Sequence, residues 1–371
     1  MVWIGTLAGY QEPPPKKPRK DRWYDRQWRR LSRRLGLTFG QAEGDTMQDW
    51  HVSREQSAPL IQSWIRSLFK DWGSPASVIF DQNRSTEIAG LLSALRRSGI
   101  ARIISLPVSP WININVLRQT DFIRVDSAVF WKKHDYSGFD GIGQVDPYYS
   151  DSLRSFFRLI GHPSPFQGRE QMLGSIRYTE DWLVVRETHV VPGAFREFLP
   201  PISPQKRRLL VIPSHRKNNS FWEEYIRTLH FLAQFDDYDI VVKPHTRYGN
   251  DYDDLPEEIT LLPEIDTSSL IDWSEIILFW SSSVALEGFQ KGRTMINLDF
   301  LNGNRSIYAD LGAGFQCRSR DDVLAVLCSQ EVLHKAELES REGCDLLLKH
   351  VIQGGGDDKV VERYLNFIQS N

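Results

Sequence analysis

From Arg207 to Phe300 the chain alternates apolar strand-like runs with helix-patterned segments, and nothing else in the sequence restricts its fold as much. "RLLVIPS" is followed by "SFWEEYIRTLHFLAQF" and "YDIVVKPH" by "DTSSLIDWS"; "EIILFWS" is followed by "SSVALEGFQKG" and then "TMINLDF". Short continuous apolar runs bounded by polar groups fit strands buried on both faces, and the intervening segments carry apolar residues at helical spacing. Strand and helix in alternation imply a parallel sheet with right-handed crossovers. The same pattern occurs earlier: a helix over 57–73, a strand "ASVIF" over 76–80, a helix over 85–99 opened by Ser85 or Thr86, a strand "ARIISLP" over 101–107, a possible strand "DSAVFW" over 126–131, and a helix over 145–161. The expectation is an α/β chain with two Rossmann-like parallel-sheet domains facing a cleft. A length of 371 residues suits two domains better than one core.

The boundaries follow composition. Residues 1–56 form a basic, proline-rich segment, 57–200 a first domain, 201–355 a second that begins at the linker "LPPISPQKRR", and 356–371 an amphipathic terminal helix of the kind that often crosses back to a first domain. In the first segment Trp23, Trp28 and Leu31 alternate with Arg22, Arg26, Arg29, Arg30, Arg33 and Arg34. That pattern describes either a helix packing its tryptophans on its own domain or one resting on an anionic membrane surface. The net charge of −3 gives no general attraction to nucleic acid. Cys317, Cys328 and Cys344 have neither zinc-site spacing nor an even count, and no run approaches a membrane span. With no signal-like N-terminus, the expected location is the cytoplasm, either free or at the inner face of the membrane. No metal is expected, because no metal-ligand spacing is visible.

Polar groups collect where the second domain's strands end. Ser214, His215, Arg216, Lys217 and Asn218 follow the first; Lys243, His245, Thr246 and Arg247 end the second; Ser281, Ser282 and Ser283 end a third. In a doubly wound sheet such ends face one crevice. Serines opening a helix can be ordinary caps or can add donors around an anion at the helix start. Lys243, Arg216 or Arg247 could complete the neutralisation of a phosphate, and His245 could hydrogen-bond or protonate a leaving oxygen. Glu287, one turn into the helix, is either a solvated residue or a ribose partner. In the first domain Asp81 follows a buried strand and is either a cap for the next helix or a catalytic carboxylate, with Glu87 a second choice. Asn83 and Arg84 could hold a sugar, and His134 is a further loop candidate.

"VVKPHTR", followed by "SEIILFWSSSVALEGFQKGRTMINLDF", resembles the "KPHPR" and "D-x-x-x-S-S-x-x-x-E" signatures of bacterial surface-polysaccharide transferases with the GT-B fold. That group includes CDP-glycerol glycerophosphotransferases and transferases using CMP-activated Kdo or sialic acid. "MLGSIRYTEDWL" resembles their "GSPRYSEEW", and "GIARIISLP" a strand that usually ends in "SLPHG"; the likeness covers roughly residues 77–368. The resemblance implies a transferase that moves a sugar, or a polyol phosphate, from a nucleotide donor to a surface glycan or lipid-linked acceptor. By the same resemblance a cytidine nucleotide is the first choice of donor and a UDP-sugar the second. His245, Ser281, Ser282 and Ser283 would bind ribose and phosphates, with Glu287 on the ribose. Two positions depart: Thr246 replaces the proline after the histidine, and Val108 replaces the histidine of "SLPHG". An epimerase of the UDP-N-acetylglucosamine type and a non-catalytic nucleotide-binding relative are the rival classes.

Overall fold

The computed structural model describes residues 77–80, 85–107, 136–159, 168–189, 199–214, 220–245 and 255–370, with a few isolated positions between them. The basic segment 1–56, the run "DSAVFW", and the candidates Asp81, Asn83, Arg84, His134, His215, Arg216, Lys217, Asn218, Thr246 and Arg247 lie outside the described residues, as does Val108.

The first domain carries a four-stranded, all-parallel sheet in the order β1-β2-β3-β4: β1 Ser77–Phe80, β2 Arg102–Ser105, β3 Gly141–Gln144 and β4 Glu170–Met172. Helix α1, Ser85–Arg97, connects the first two strands and buries Leu92, Ala94 and Leu95. Helix α2, Pro147–Leu159, follows β3, and α3, Glu180–His189, follows β4.

The second domain carries six parallel strands: β5 Arg207–Ile212, β6 Tyr238–Val242, β7 Ile259–Leu261, β8 Ile276–Phe279, β9 Thr294–Leu298 and β10 Phe315–Cys317. Their order is β10-β9-β8-β5-β6-β7. Counted within the domain this is 6-5-4-1-2-3, the Rossmann order, and the direction of winding reverses between β5 and β8. The register is continuous there, with Leu209 beside Ile276 and Ile212 beside Phe279. Every residue of β8 and β9 is buried. Central parallel strands covered on both faces demand this, and the two faces build separate apolar cores. The helices are α4 Trp222–Leu232, α5 Thr267–Trp273, α6 Ala285–Gln290, α7 Ile307–Leu311, α8 Arg320–Cys328 and α9 Gln330–Leu347. In α4, Tyr225, Leu229 and Leu232 recur at helical spacing and are buried against the sheet. Asp266, Ser306, Ser319 and Ser329 cap α5, α7, α8 and α9 by accepting an amide proton in the first turn.

The last helix, α10 Val360–Gln369, leaves the second domain and packs Val360, Tyr364 and Phe367 on Ile104 and Leu173 of the first. No helix among the described residues is long and apolar enough to cross a membrane.

Candidate nucleotide site at the switch point

Where the winding direction reverses, two strands leave a gap between the connections at their carboxyl ends. The groups at this gap come from the ends of β5, β6 and β8. Ser214, two residues beyond β5, is buried and its hydroxyl donates to the carbonyl of Ser281 beyond β8, at 3.4 Å. The two loops are therefore joined across the reversal itself.

The serine run is built differently from a capped helix. The sequence suggests that a serine caps α6, but the cap position is Val284, and no side chain bonds the first turn. The backbone closes the turn instead: Ala285 N–H donates to Ser282 O and Leu286 N–H to Ser283 O, both at 3.2 Å. Ser281 makes this possible by adopting a φ of 45°, the only positive φ outside glycine among the described residues. The Ser282 carbonyl is pinned by Tyr308 Oη at 2.8 Å, and Tyr308 is itself fully buried. The amides of Ser282 and Ser283 enter no hydrogen bond among the described residues, and both side chains are partly exposed. Two free amides and two hydroxyls on a pinned turn form a donor-rich concavity suited to an anion.

Lys243 and His245 end β6. The Lys243 amide pairs with Val211 O at 3.0 Å, extending the β5–β6 ladder, and its side chain is buried. Its ammonium donates to Pro263 O at 2.5 Å, on the β7 side. Burial lowers its pKa, with Asp266 and Glu264 opposing that shift. Lys243 thus ties β6 to the loop after β7. His245 is half-buried at the mouth of the crevice.

Glu287 is 1% exposed. Its carboxylate accepts from Ser268 Oγ of α5 and pairs with Lys291 Nζ at 3.3 Å, while Lys291 also reaches Asp272 at 2.6 Å. Burial pulls the Lys291 pKa down, but Asp272 and Glu287 outweigh it and the net shift is upward. Glu287 is therefore held within a buried tie between α5 and α6. In the first domain Glu87 lies within α1. Among the described residues no three His, Cys, Asp or Glu side chains gather as a metal site requires.

The structure also reveals a polar group that the sequence reading passed over. Gln144 at the end of β3, Asp146 just before α2, and Ser150 in its first turns are all buried. Their signal was available in "QVDPYYS", an aspartate before a proline at a helix start, but it reads as a simple cap.

No family model matches the chain, and no curated protein matches it in sequence. Solved structures do match in three dimensions. UDP-GlcNAc 2-epimerase from Neisseria meningitidis, bound to UDP-GlcNAc, superposes with a TM-score of 0.55 over 90% of this chain and 84% of its own, at 12% identity. The fold is GT-B-like. The wall teichoic acid polymerase TagF, solved with CDPG, has a TM-score of 0.47 at 16% identity, covering 79% of this chain and 73% of its own. UDP-GlcNAc 2-epimerase of Methanocaldococcus jannaschii, in complex with UDP-GlcNAc and UDP, has a TM-score of 0.48 at 13% identity, covering 86% and 82%.

Proposed function

We propose that the chain is a nucleotide-sugar-dependent transferase that binds its donor at the carboxyl ends of β5, β6 and β8 and passes the sugar to an acceptor held by the first domain. The observation that carries this reading is the Rossmann order of the second sheet, with the loops after β5 and β8 joined through Ser214 and Ser281 at the reversal. In this reading the Ser282 and Ser283 amides and hydroxyls receive the donor's phosphate, and His245 bonds or protonates the oxygen that leaves with the nucleotide. Arg216 and Arg247, which follow β5 and β6 in sequence, supply charge. Lys243 acts at one remove by fixing the β6 end. Supported by the motif resemblance, the donor is a cytidine nucleotide carrying a Kdo-like sugar or a polyol, and the acceptor is a bacterial surface glycan or its lipid-linked precursor. The basic segment 1–56 would hold the enzyme at the inner membrane surface, where such acceptors gather.

The test is a thermal-shift series with CMP, CDP, UDP and GDP. A ligand present at 100 times its Kd adds about 2.7 kcal/mol to folding stability. CMP or CDP is expected to raise the melting temperature most, and His245→Ala to abolish that rise. If no nucleotide stabilises the wild type, the site is misassigned. If UDP alone does, and UDP-GlcNAc is then converted without any acceptor, the chain is an epimerase.

A further inference from the structure

The buried polar group of the first domain has no role in donor binding, and its hydrogen bonding is incomplete. Asp146 Oδ1 accepts the Tyr149 amide at 3.1 Å and so caps α2. Its second oxygen, Oδ2, has no partner, and neither does Gln144 Nε2 or Ser150 Oγ. The three residues are exposed by only 1% (Gln144), 0% (Asp146) and 0% (Ser150). Buried polar atoms are almost always paired, so three orphans in one strand-to-helix connection mark a place that a polar guest completes. They offer a carboxylate acceptor, an amide donor and a hydroxyl that can do either, the set that a sugar hydroxyl meets best.

The position suits an acceptor. The connection lies at the carboxyl end of β3, next to the second domain. Tyr148 feels the charges of Asp146 and of Asp310 in α7, and its ring stands edge-on to His350 at 6.4 Å. A Cβ on Gly354 would come within 2.7 Å of Val145 O, so the chain beyond α9 is pressed against the same connection. All three residues are buried in this arrangement, so an acceptor reaches them when the connection and the second domain part beside Tyr148 and His350.

We propose that Asp146 is the catalytic base of the transfer, with Gln144 and Ser150 orienting the acceptor hydroxyl on it. This rests on the transferase reading above. The acceptor oxygen forms a bond to the sugar carbon, and the bond from that carbon to the nucleotide phosphate oxygen breaks with its electron pair leaving on the phosphate; with a CDP-polyol the oxygen bonds instead to the polyol-bearing phosphorus, and the phosphorus–oxygen bond to CMP breaks with its pair leaving on CMP. The hydroxyl proton passes to Asp146 Oδ2. Burial raises this carboxyl to about 7, opposed by the Tyr149 and Tyr148 amides and reinforced by Asp151. A base poised near neutrality is suited to this step. The titratable groups around it are Tyr148, Tyr149 and Asp151 of α2, Tyr136 bonded to Tyr149, and Asp310 and His350 across the junction.

The experiment measures nucleotide release from CMP-Kdo, CDP-glycerol and UDP-GlcNAc, with a lipid-linked glycan or water as acceptor, for wild type, Asp146→Asn and Ser150→Ala. Asn keeps the cap on α2 and the volume while removing the base. Asp146→Asn is expected to keep the full nucleotide-induced thermal shift and lose 10²- to 10⁴-fold in release rate. Ser150→Ala is expected to lose about tenfold and keep the pH dependence, as suits a group that only orients the hydroxyl. Wild-type kcat/KM is expected to rise with pH through an apparent pKa near 7; a flat profile from about pH 5.5 to 8.5 overturns the assignment even if no variant folds. Release by Asp146→Asn within about threefold of wild type also overturns it and leaves the donor site standing. A wild type that is stabilised by nucleotide but releases none overturns both the transfer and the base. A wild type that no nucleotide stabilises overturns the donor reading first.

Discussion

Two residues carry unusual conformational or electrostatic cost, and each yields a stability prediction. At Ser281 the backbone enters the left-handed region, φ 45°, inside a buried turn. A side chain there costs on the order of 1 kcal/mol that glycine avoids, and a β-branched side chain costs more. Ser281→Gly should therefore match or exceed wild-type stability by up to about 1 kcal/mol, and Ser281→Val should lose roughly 1–3 kcal/mol in urea unfolding. Equal stability of the valine variant would show that the turn is not held in this conformation. Asp146 is the second case. Its carboxyl titrates near 3.8 when unfolded and at about 7 when folded, so the folded state binds the proton more tightly. The stability this contributes is complete below pH 3.8 and is lost progressively as pH rises through 7. Above pH 7 the native chain carries a buried charge, and the gap corresponds to roughly 4 kcal/mol. Asp146→Asn should consequently be more stable than wild type at pH 8, by up to that amount, and nearly equal at pH 4. Urea midpoints at the two pH values decide it, and an unchanged difference between them would mean that the carboxyl is not buried as described. A residue that lowers stability at working pH and yet occupies a core position fits a functional role.

At the level of elements, legibility followed length and side-chain type. β5, β6, β8 and β9 are rich in Ile, Leu and Val and fully or mostly buried, and they were evident as strands. β7, β10 and β4 have three residues each, too short for any periodicity to register. β3 was hidden for a different reason. Its sequence is "GIGQ", with none of the β-branched crowding that marks a strand, because the space over Gly143 is taken by Leu173 and Pro107 and that over Gly141 by a partner more than two hundred residues away. A Cβ on Gly141 would lie 2.9 Å from the Phe367 ring. Phe367 is buried, and the Arg102 guanidinium donates to the carbonyls of Phe367 and Ile368 at 2.5 and 2.6 Å, fixing the end of α10 over β2. That polar groups end β5, β6 and β8 was legible from residue types, whereas the closing of the Ser281 turn by backbone bonds alone was not. Phe367→Ala should cost about 3–5 kcal/mol, since it removes a buried ring that no neighbouring side chain can replace. Hydrogen exchange should show faster opening of the β1–β3 amides with β8 and β9 unaffected. Equal acceleration in both sheets would mean that α10 supports the whole molecule and not the first domain alone.

The whole molecule is two sheets joined through α10 on one side and through Ile112, Tyr148 and Tyr178 on the other. The sequence announced two α/β units and a terminal amphipathic helix, but how they are fastened depends on carbonyls and on glycine φ angles that no periodicity reports. Arg363 in α10 donates to Leu173 O at 3.3 Å, where β4 ends, and to Gln353 O at 2.7 Å, beyond α9. Tyr364 donates to Gly174 O at 3.0 Å, and the Ser175 amide donates to Ile352 O at 2.7 Å. Gly174 itself has a φ of 82°, and a Cβ there would collide with Ile352 O, so the two chain segments touch backbone to backbone. These contacts join the exit of the first sheet to the end of the second domain; on the other side Tyr148 meets the His350 ring, Ile112 and Tyr178 enter the second domain's core, and the Ile307 amide donates to Ile112 O at 2.8 Å. An acceptor entering at Asp146 requires the Tyr148 side of this junction to part while the α10 side holds. Unpairing the clamp should then uncouple the domains before it unfolds either one. The double variant Arg363→Ala, Tyr364→Phe removes these three hydrogen bonds, worth roughly 1 kcal/mol each, together with the two from Arg363 to Asp357, and spares the apolar faces of both sheets. Calorimetry should show the unfolding peak of the wild type splitting into two, with the later one holding the second domain and still moved upward by nucleotide. One sharp peak merely displaced to lower temperature would mean that Ile112 and Tyr178, which the first domain lends to the second domain's core, couple the two, and that the domains open together or not at all.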